Sequence, residues 1–438
     1  MNKLIEIQNR TMEQYPLFTV IIPQKNRAEY LIHTLRTCMI QDYPNCEFIV
    51  ADDCSDDNSV EMIRELQQRD SRIKLIAHEK HVGMRDNFES ALSTVRPGYV
   101  MALGGDDGLV PGCFWRMYEI IKETGTQLMC WRTPYFMYAE DEKAKARFVI
   151  PKVKGTGYRW VKSEDFLNKI AKTFSYQIPE CPMFYMQGCA STELVDRVKS
   201  RTPDGYFYYC PTPDGFSGVV LAGEVEKYIY TNEPLAIAGN SRKSQGLNYE
   251  RKDEQSKKEA QEFFNDNIRK TMHKELASQP YSPLQTLMTA DYLLTARDLP
   301  GWPGKFEMFK WEDLLRITFS KFVHGKWENE VLVRELKILR EIAKQHDLLP
   351  LYEELYKKTR RKVVRSSAFT GFIVTNRSVM FAEDEVNIHN IYDASLACNF
   401  AFHAYHLMTV KEIFRVMKRS FKTLINTRNY KVESLPEI

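Results

Sequence analysis

The chain has 438 residues and a formal net charge of +3, so its overall charge does not predict a nucleic-acid-binding protein. At roughly 100–200 residues per domain, this length predicts two or three domains, and with 43% hydrophobic residues the chain can bury sizeable cores. The 9 cysteines form no C-x-x-C pair, which argues against a disulfide framework or a zinc site and fits a reducing compartment.

The sequence contains no pattern that predicts export or a membrane span. Its first residues, MNKLIEIQNRTMEQYP, lack the apolar segment of a signal peptide. No apolar stretch approaches the ~20 residues that a transmembrane helix needs. We therefore expect a cytoplasmic protein that is soluble or attached peripherally to a membrane.

Short apolar runs alternate with amphipathic stretches from about Leu17 onward. Four strands are predicted in LFTVIIP, CEFIVADD, RIKLIAHE and YVMAL, with helices in the intervening AEYLIHTLRTCMIQ, SVEMIRELQQR and MRDNFESALSTV. This alternation predicts an α/β fold, in which helices cover a mainly parallel sheet. Ligands bind such sheets at the carboxyl ends of the strands, which is where Asp52, Asp53, Asp106 and Asp107 fall.

The second half of the chain is predicted to be mostly helical. The polar stretch NSRKSQGLNYERKDEQ predicts a mobile loop and a domain boundary near Gly246. We therefore expect one domain over residues 1–246 and a helical region over residues 247–438. Its clearest helices are predicted in KKEAQEFFNDNIRKTMHKEL, VLVRELKILREIAKQH, LYEELYKKTRRKVV and VKEIFRVMKRSFKTLI.

The usual glycine-rich nucleotide motifs are missing. The residues after the first strand read PQKNRAEY, without the glycines of G-x-G-x-x-G, and no G-x-x-x-x-G-K-[ST] loop occurs. A nucleotide diphosphate could instead be held by a divalent cation bound to Asp106 and Asp107. Asp52 or Asp53 could accept hydrogen bonds from its base or ribose. Taken alone, GGDDG is also compatible with a simple turn.

The ordered set of motifs resembles family 2 glycosyltransferases, which have the GT-A fold. The strand that ends in Pro23 is followed by Asn26 and Arg27, and then by QDYPNCEFIV, DDCSDDNS, RIKLIAHEKHVG and GYVMALGGDD. No single motif is specific, but their order is. The resemblance spans residues 17–115 and continues more weakly to about residue 245.

This resemblance implies an inverting transferase that uses a nucleotide-diphosphate sugar, most often a UDP-sugar. By position, Pro23 and Asn26 would line the nucleoside pocket, and Asp53 would contact the base. Arg85 or Asn87 would lie near the base or the diphosphate.

The resemblance also implies a Mn²⁺ or Mg²⁺ ion at the Asp106–Asp107 pair. Asp107 is expected to be the direct metal ligand, and Asp106 is expected to bind the ribose or the metal. Gly104 departs from the family pattern, which has an acid at this position, and this leaves the division of roles between the two acids open.

A catalytic base is implied downstream, and its position in the chain indicates Asp214 in CPTPDGFSGVVLA. Asp214 could equally belong to a turn with Gly215. The pair Glu164–Asp165 is better explained as the first turn of a helix, and Asp204 as a turn. Arg242 and Lys243 could balance the charge of the leaving phosphates, or could belong to an ordinary solvated loop.

The segment VKEIFRVMKRSFKTLI predicts a basic amphipathic helix, which could bind an anionic membrane or pack on the rest of the protein. By resemblance, the acceptor would be a saccharide or a lipid-linked saccharide in surface polysaccharide or glycolipid synthesis. One alternative is a catalytically degenerate nucleotide-sugar-binding or assembly partner of the same fold. A sugar-nucleotide pyrophosphorylase is disfavoured, because IIPQKNRAEY lacks its glycine-rich loop.

Overall fold

The structure is a computed structural model. It describes residues 15–139, 145–151, 155, 157–210, 213–244, 258, 269–323, 329–364, 373–374, 378–382, 387–404 and 430–434. The segment VKEIFRVMKRSFKTLI and most of KKEAQEFFNDNIRKTMHKEL lie outside the described residues.

The first part of the chain forms the predicted parallel sheet. Strands β1 (Phe18–Gln24), β2 (Cys46–Asp52), β3 (Ile73–Ala77) and β4 (Tyr99–Ala102) pair in parallel in the order β3-β2-β1-β4. Every residue of β1 and β2 is buried, which explains their continuous apolar runs. Helices α1 (Ala28–Met39), α2 (Ser59–Arg69) and α3 (Met84–Leu92) connect the strands.

The sheet continues beyond β4 with strands of mixed direction. After the short strand β5 (Gly108–Leu109) and helix α4 (Cys113–Thr124), the chain adds β6 (Leu128–Trp131), β9 (Tyr158–Lys162), β10 (Gly188–Ser191) and β11 (Lys227–Thr231). The eight-stranded order is β3-β2-β1-β4-β10-β6-β11-β9. Helices α5 (Ser163–Thr173), α6 (Thr192–Lys199) and α7 (Pro213–Gly223) lie between these strands in sequence. Helix α6 starts directly after β10, whose residues complete the central sheet.

A second sheet lies beside the first and contains residues from both halves of the chain. It joins β5, β7 (Tyr135–Met137), β8 (Arg147–Pro151) and β12 (Ala236–Asn240) to β14 (Ile373–Val374) and β15 (Ser378–Ala382). The pairing of β12 with β5 matters for function. It brings the end of β12 against the turn that carries Asp106 and Asp107.

The predicted helical region is present as α8 (Gln285–Arg297), α9 (Trp311–Phe322), α10 (Asn329–Gln345) and α11 (Leu349–Lys358). The helix predicted in LYEELYKKTRRKVV ends at Lys358, so the prediction is wrong for the residues that follow it. Thr359 is extended, and the chain continues as β13 (Arg360–Val364), which pairs with β16 (Tyr430–Ser434). This tertiary pairing outweighs the local preference of the basic residues for helix.

Helix α12 (Ile391–Ala404) returns to the first part of the chain. Ile391 lies against Gly108 of β5, and the hydroxyl of Ser395 donates a hydrogen bond of 2.6 Å to the carbonyl oxygen of Leu109. Within the part of the chain that the structure describes, no helix combines the length and the apolar character needed to cross a membrane.

Candidate functional site

The candidate site is built at the carboxyl ends of the parallel strands, as predicted. The amide of Leu103 extends the pairing of β4 with β1 by donating to the carbonyl oxygen of Ile21. The chain then turns through Gly104 and Gly105, so that Asp106 and Asp107 lie at the binding edge of the sheet. Both acids are 2% exposed.

Asp107 is bound by backbone amides on both of its oxygens. Its Oδ2 accepts from the amide of Gly104 at 2.7 Å, and its Oδ1 accepts from the amide of Gly239 at 2.8 Å. Burial raises the pKa of the Asp107 carboxyl to about 7, and the negative charge of Asp106 adds to the rise. Asp107 therefore joins the turn to β12.

The approach of β12 requires a glycine at position 239. An ideal Cβ atom on Gly239 would lie 1.7 Å from the carbonyl oxygen of Asp106. Only a residue without a side chain permits this contact between the strand and the turn.

Asp106 contacts mainly side chains, with one longer bond of 3.3 Å from the backbone amide of Ser241. Its Oδ1 lies 3.1 Å from Nη1 of Arg27, while its Oδ2 accepts from the hydroxyls of Ser241 at 2.6 Å and Ser244 at 2.7 Å. The second nitrogen of Arg27, Nη2, donates to the carbonyl oxygen of Lys243 at 2.6 Å. Residues 241–244 therefore form a turn, hereafter the serine turn, that is folded onto Asp106.

The structure places the predicted Arg242 and Lys243 in the serine turn, next to Asp106. Arg242 is exposed and Lys243 is partly exposed. The sequence reasoning did not identify Arg27, Ser241 or Ser244 as site residues. The spacing S-R-K-S was a usable signal, since two hydroxyls three residues apart can bind one acceptor from the two ends of a turn.

The residues predicted to bind the nucleoside lie at the ends of β1 and β2. Pro23 pairs with Ala51 in the parallel ladder. Asn26 has a positive φ of 54°, and its Oδ1 accepts from the amide of Asp56 at 2.7 Å. Asp53 accepts from the amide of Val82 at 2.7 Å and from that of Gly83 at 3.2 Å, and it lies 2.7 Å from Nδ1 of His81.

Arg85 and Asn87 both make protein contacts. Arg85 forms an ion pair with Asp204 at 2.5 Å and packs over the ring of Tyr206. Nδ2 of Asn87 donates to the carbonyl oxygen of Ala51 at 2.9 Å, and its side-chain oxygen has no partner among the described residues. Arg85 therefore joins the start of α3 to the loop of Asp204, whereas Asn87 joins α3 to β2.

Asp214 lies in the first turn of α7, where helix N-termini favour a carboxylate. Its side chain is partly exposed. Burial raises the pKa of the Asp214 carboxyl above its ordinary value, although the backbone amide of Gly215 opposes the rise. The rival pair Glu164–Asp165 occupies the first turn of α5, as expected for helix-capping acids.

The hydroxyl of Tyr185 lies beside the acidic pair. Burial raises the pKa of Tyr185 well above its usual range, and the charges of Asp107, Asp106 and Asp214 add to the rise. One hydroxyl is thus within electrostatic reach of the acidic pair and of Asp214. An ideal Cβ atom on Gly104 would lie only 2.3 Å from this hydroxyl, so Tyr185 fills the space that a side chain at position 104 would need.

The chemistry of the acids decides which of them could hold a cation. No group of three or more His, Cys, Asp or Glu side chains with metal-binding geometry occurs within the described ranges. The oxygens of Asp107 are committed to backbone amides, which cannot move away. The oxygens of Asp106 face the side chains of Arg27, Ser241 and Ser244, and these side chains can move away. Asp106 is therefore the acid that could accept a cation, with diphosphate oxygens and water completing its coordination.

Comparisons with known proteins show what this chain is similar to. The sequence model described as glycosyl transferase family 2 matches residues 19–187. A putative teichuronic acid biosynthesis glycosyltransferase of Bacillus subtilis, TuaG, is 27% identical over 134 residues, which are 31% of this chain and 52% of that protein. Glycosyltransferase GlyG of Streptococcus pneumoniae is 24% identical over 150 residues, which are 34% of this chain and 45% of that protein. The chain thus spans about half the length of the curated relatives it matches.

Two further comparisons complete the findings. A Campylobacter jejuni GalNAc(5)-diNAcBac-PP-undecaprenol beta-1,3-glucosyltransferase is 32% identical over 109 residues, which are 25% of this chain and 35% of that protein. Among solved structures, residues 1–349 of Staphylococcus aureus TarS align with a TM-score of 0.42 and 16% identity, covering 82% of this chain and 94% of that one.

Proposed function

Because residues 19–187 match the sequence model of glycosyl transferase family 2, we propose that this protein transfers a sugar from a nucleotide-diphosphate donor to an acceptor hydroxyl. The donor is a UDP-sugar, the class that the sequence resemblance implies. One observation carries the proposal. Asp106, at the carboxyl end of β4, lies beside the guanidinium of Arg27 and the serine turn, so that a carboxylate suited to a cation and a cationic group suited to a diphosphate stand together.

The residues divide into a nucleotide end and a reaction end. Pro23, Asn26 and Asp53 lie at the carboxyl ends of β1 and β2, where the nucleoside would bind. The loop preceding α3, held to Asp53 through its backbone amides, forms one wall of this pocket. Arg85 and Asn87 support the start of α3 behind it.

The diphosphate is proposed to bind at Asp106, beside Arg27 and the serine turn. Asp106 would hold the Mn²⁺ or Mg²⁺ ion, while Asp107 keeps the turn in place. The ion, when bound, offsets the charge that develops on the leaving diphosphate. The guanidinium of Arg27 and the cationic side chains of Arg242 and Lys243 act on the same phosphates.

Asp214 is proposed to be the catalytic base. Its carboxylate would accept the proton of the acceptor hydroxyl while that oxygen attacks the anomeric carbon opposite the diphosphate, which inverts the configuration. Burial raises the pKa of Asp214 and so makes it a stronger base than an ordinary aspartate. The location of Asp214 in the first turn of α7 fixes its backbone.

The acceptor is proposed to be a saccharide or a lipid-linked saccharide of a cell-surface polysaccharide. Support comes from relatives whose names include teichuronic acid biosynthesis and an undecaprenol-linked glycan. The protein would act in the cytoplasm, where nucleotide sugars and the inner membrane face are both accessible. The basic segment over residues 410–425, which lies outside the described residues, would bring it to that membrane.

Nucleotide-dependent thermal unfolding tests the proposal. We expect one of UDP, GDP, CMP and dTDP, with UDP first, to stabilise the wild-type protein in the presence of Mn²⁺. At ~100 times its dissociation constant, a ligand adds about 2.7 kcal/mol to the free energy of unfolding. The Asp106→Asn variant should lose this response, whereas Asp196→Asn, on the exposed face of α6, should keep it.

The outcomes separate the alternatives. A wild-type protein that responds to none of the four nucleotides contradicts the proposed function. A wild-type protein that binds UDP but releases no UDP from any UDP-sugar in the presence of acceptors is a binding or assembly partner rather than an enzyme.

A further inference from the structure

The hydroxyl of Tyr185 faces the acidic pair but binds neither acid. Among the described residues it has no hydrogen-bond partner, and a tyrosine phenol carries its proton at neutral pH. The oxygens of Asp106 and Asp107 accept from other donors instead. A protonated phenol in this position has a hydrogen to donate and no protein group that receives it.

The segment that carries Tyr185 is held rigidly. The amide of Tyr185 donates to the carbonyl oxygen of Met183 at 2.7 Å, and the amide of Gly188 donates to the carbonyl oxygen of Tyr185. Nε2 of Gln187 donates to the carbonyl oxygen of Cys181 at 2.9 Å. The segment leads directly into β10 of the central sheet. The backbone that carries the Tyr185 side chain is therefore held in place before any ligand arrives, as a binding site requires.

Because Gly104 has no side chain, it leaves room for the hydroxyl of Tyr185. Any larger residue at this position would bring its Cβ atom to 2.3 Å from Tyr185 Oη. The same Cβ atom would lie 3.0 Å from one oxygen of Asp106 and 3.0 Å from one oxygen of Asp107. The hydroxyl of Tyr185 therefore occupies the space that a side chain at position 104 would need, and only glycine at this position leaves room for it.

We infer that the hydroxyl of Tyr185 donates a hydrogen bond to the β-phosphate of the nucleotide-diphosphate donor. This inference rests on the proposed function. The nucleoside end of the site lies at β1 and β2, and Asp214 marks the reaction end. The hydroxyl of Tyr185 lies beside Asp106 and Asp107, where the diphosphate is proposed to bind. A neutral donor there stabilises the charge that develops on the leaving diphosphate.

Paired binding measurements with UDP and UMP test this contact, because UMP lacks the β-phosphate. The Tyr185→Phe variant keeps the ring and loses only the hydroxyl. We expect it to bind UDP roughly 10- to 100-fold more weakly than the wild type, the loss typical of one hydrogen bond to a charged group. Its affinity for UMP should be unchanged. Calorimetric titrations in the same Mn²⁺-containing buffer give both constants.

A matched control uses Tyr99, whose hydroxyl donates to the carbonyl oxygen of Thr126 at the other end of β4. Tyr99→Phe should bind both nucleotides like the wild type, even where it lowers the melting temperature. Equal UDP affinity in wild type and Tyr185→Phe overturns the inference, as does an equal loss for UDP and UMP. Failure of the wild type to bind UDP instead contradicts the proposed function, so the two failures are distinguishable.

Discussion

Two adjacent aspartates have different environments, and this difference assigns their proposed roles. Asp107 accepts from two backbone amides, and Asp106 accepts from Arg27, Ser241 and Ser244. The sequence resemblance favoured Asp107 as the direct metal ligand. The geometry supports Asp106 instead, since a cation can displace mobile side chains more readily than backbone amides. Asp107 would then serve to hold the turn against β12.

At the same scale, the proposed role of Asp214 as the base can be tested separately from nucleotide binding. Asp214→Asn removes the proton acceptor and keeps the shape of the side chain. We expect kcat to fall by about 10²–10⁴-fold, as is typical for loss of a general base. The affinity for UDP should stay within the error of the measurement. Initial rates with the identified sugar donor, and calorimetric titration of UDP, give the two values.

Asp165 provides the control for this variant. It also lies in the first turn of a helix, α5, and the structure gives it no contact with the site. Asp165→Asn should retain wild-type kcat. A similar loss in both variants would show that the effect on rate comes from helix stability rather than from proton transfer, and Asp214 would no longer be the base.

At the scale of elements, α7 depends on the helical region for its position. An ideal Cβ atom on Gly215 would lie 2.4 Å from the ring of Tyr292 in α8, and Nε1 of Trp302 donates to the carbonyl oxygen of Val220 in α7. The helix that carries Asp214 is therefore packed directly against residues of the second half of the chain. This packing is a physical reason for the helical region to accompany the first half of the chain.

The helical region contains a buried acid that should make stability depend on pH. Glu335 of α10 is fully buried, where its Oε2 accepts from the hydroxyl of Ser282 at 2.5 Å, and burial raises its pKa. Because the folded-state pKa exceeds the unfolded one, its stabilising contribution is complete below the unfolded pKa and is lost as pH rises through the folded pKa.

Glu335→Gln removes this titration and keeps an oxygen that can accept from Ser282. Because only the wild type loses stability through this group as pH rises, we expect the free energy of unfolding of the variant to increase relative to that of the wild type between pH 5 and pH 8. Denaturant unfolding at both pH values measures it. A difference between the two proteins that is the same at both pH values would mean that Glu335 does not titrate in this range.

At the scale of the whole molecule, the C-terminal part of the chain returns to the first domain. Helix α12 covers β5, and β15 pairs with β8, so residues beyond the predicted boundary near Gly246 complete the second sheet. The boundary itself stays a prediction, because residues 245–257 lie outside those the structure describes.

A pair of substitutions in α12 tests this return. Ile391 is fully buried against β5, whereas Leu396 of the same helix is 51% exposed. We expect Ile391→Ala to lower the free energy of unfolding by about 2–5 kcal/mol, the range for truncation of a large buried aliphatic side chain. Leu396→Ala should change it by less than about 0.5 kcal/mol. Comparable losses for both variants in chemical denaturation would contradict the packing of α12 on β5.

The sequence by itself determined the order of strands and helices up to Ala102 and the location of the acids at the binding edge. Those features depend on neighbours within a few residues, through hydrophobic periodicity and turn chemistry. Asp214 was indicated as a base only by its position in the chain order of the family, and local signals could not choose between that role and a turn with Gly215.

Only the tertiary structure decided which groups meet. Ser241 and Asp106 are 135 residues apart, and Ser395 and Leu109 are 286 residues apart, yet each pair forms a hydrogen bond. Residues distant in the chain also determine the contact of Gly104 with Tyr185. The same is true of the change from helix to strand at Thr359. Such contacts depend on how whole elements pack, and no pattern within a short stretch of sequence specifies them.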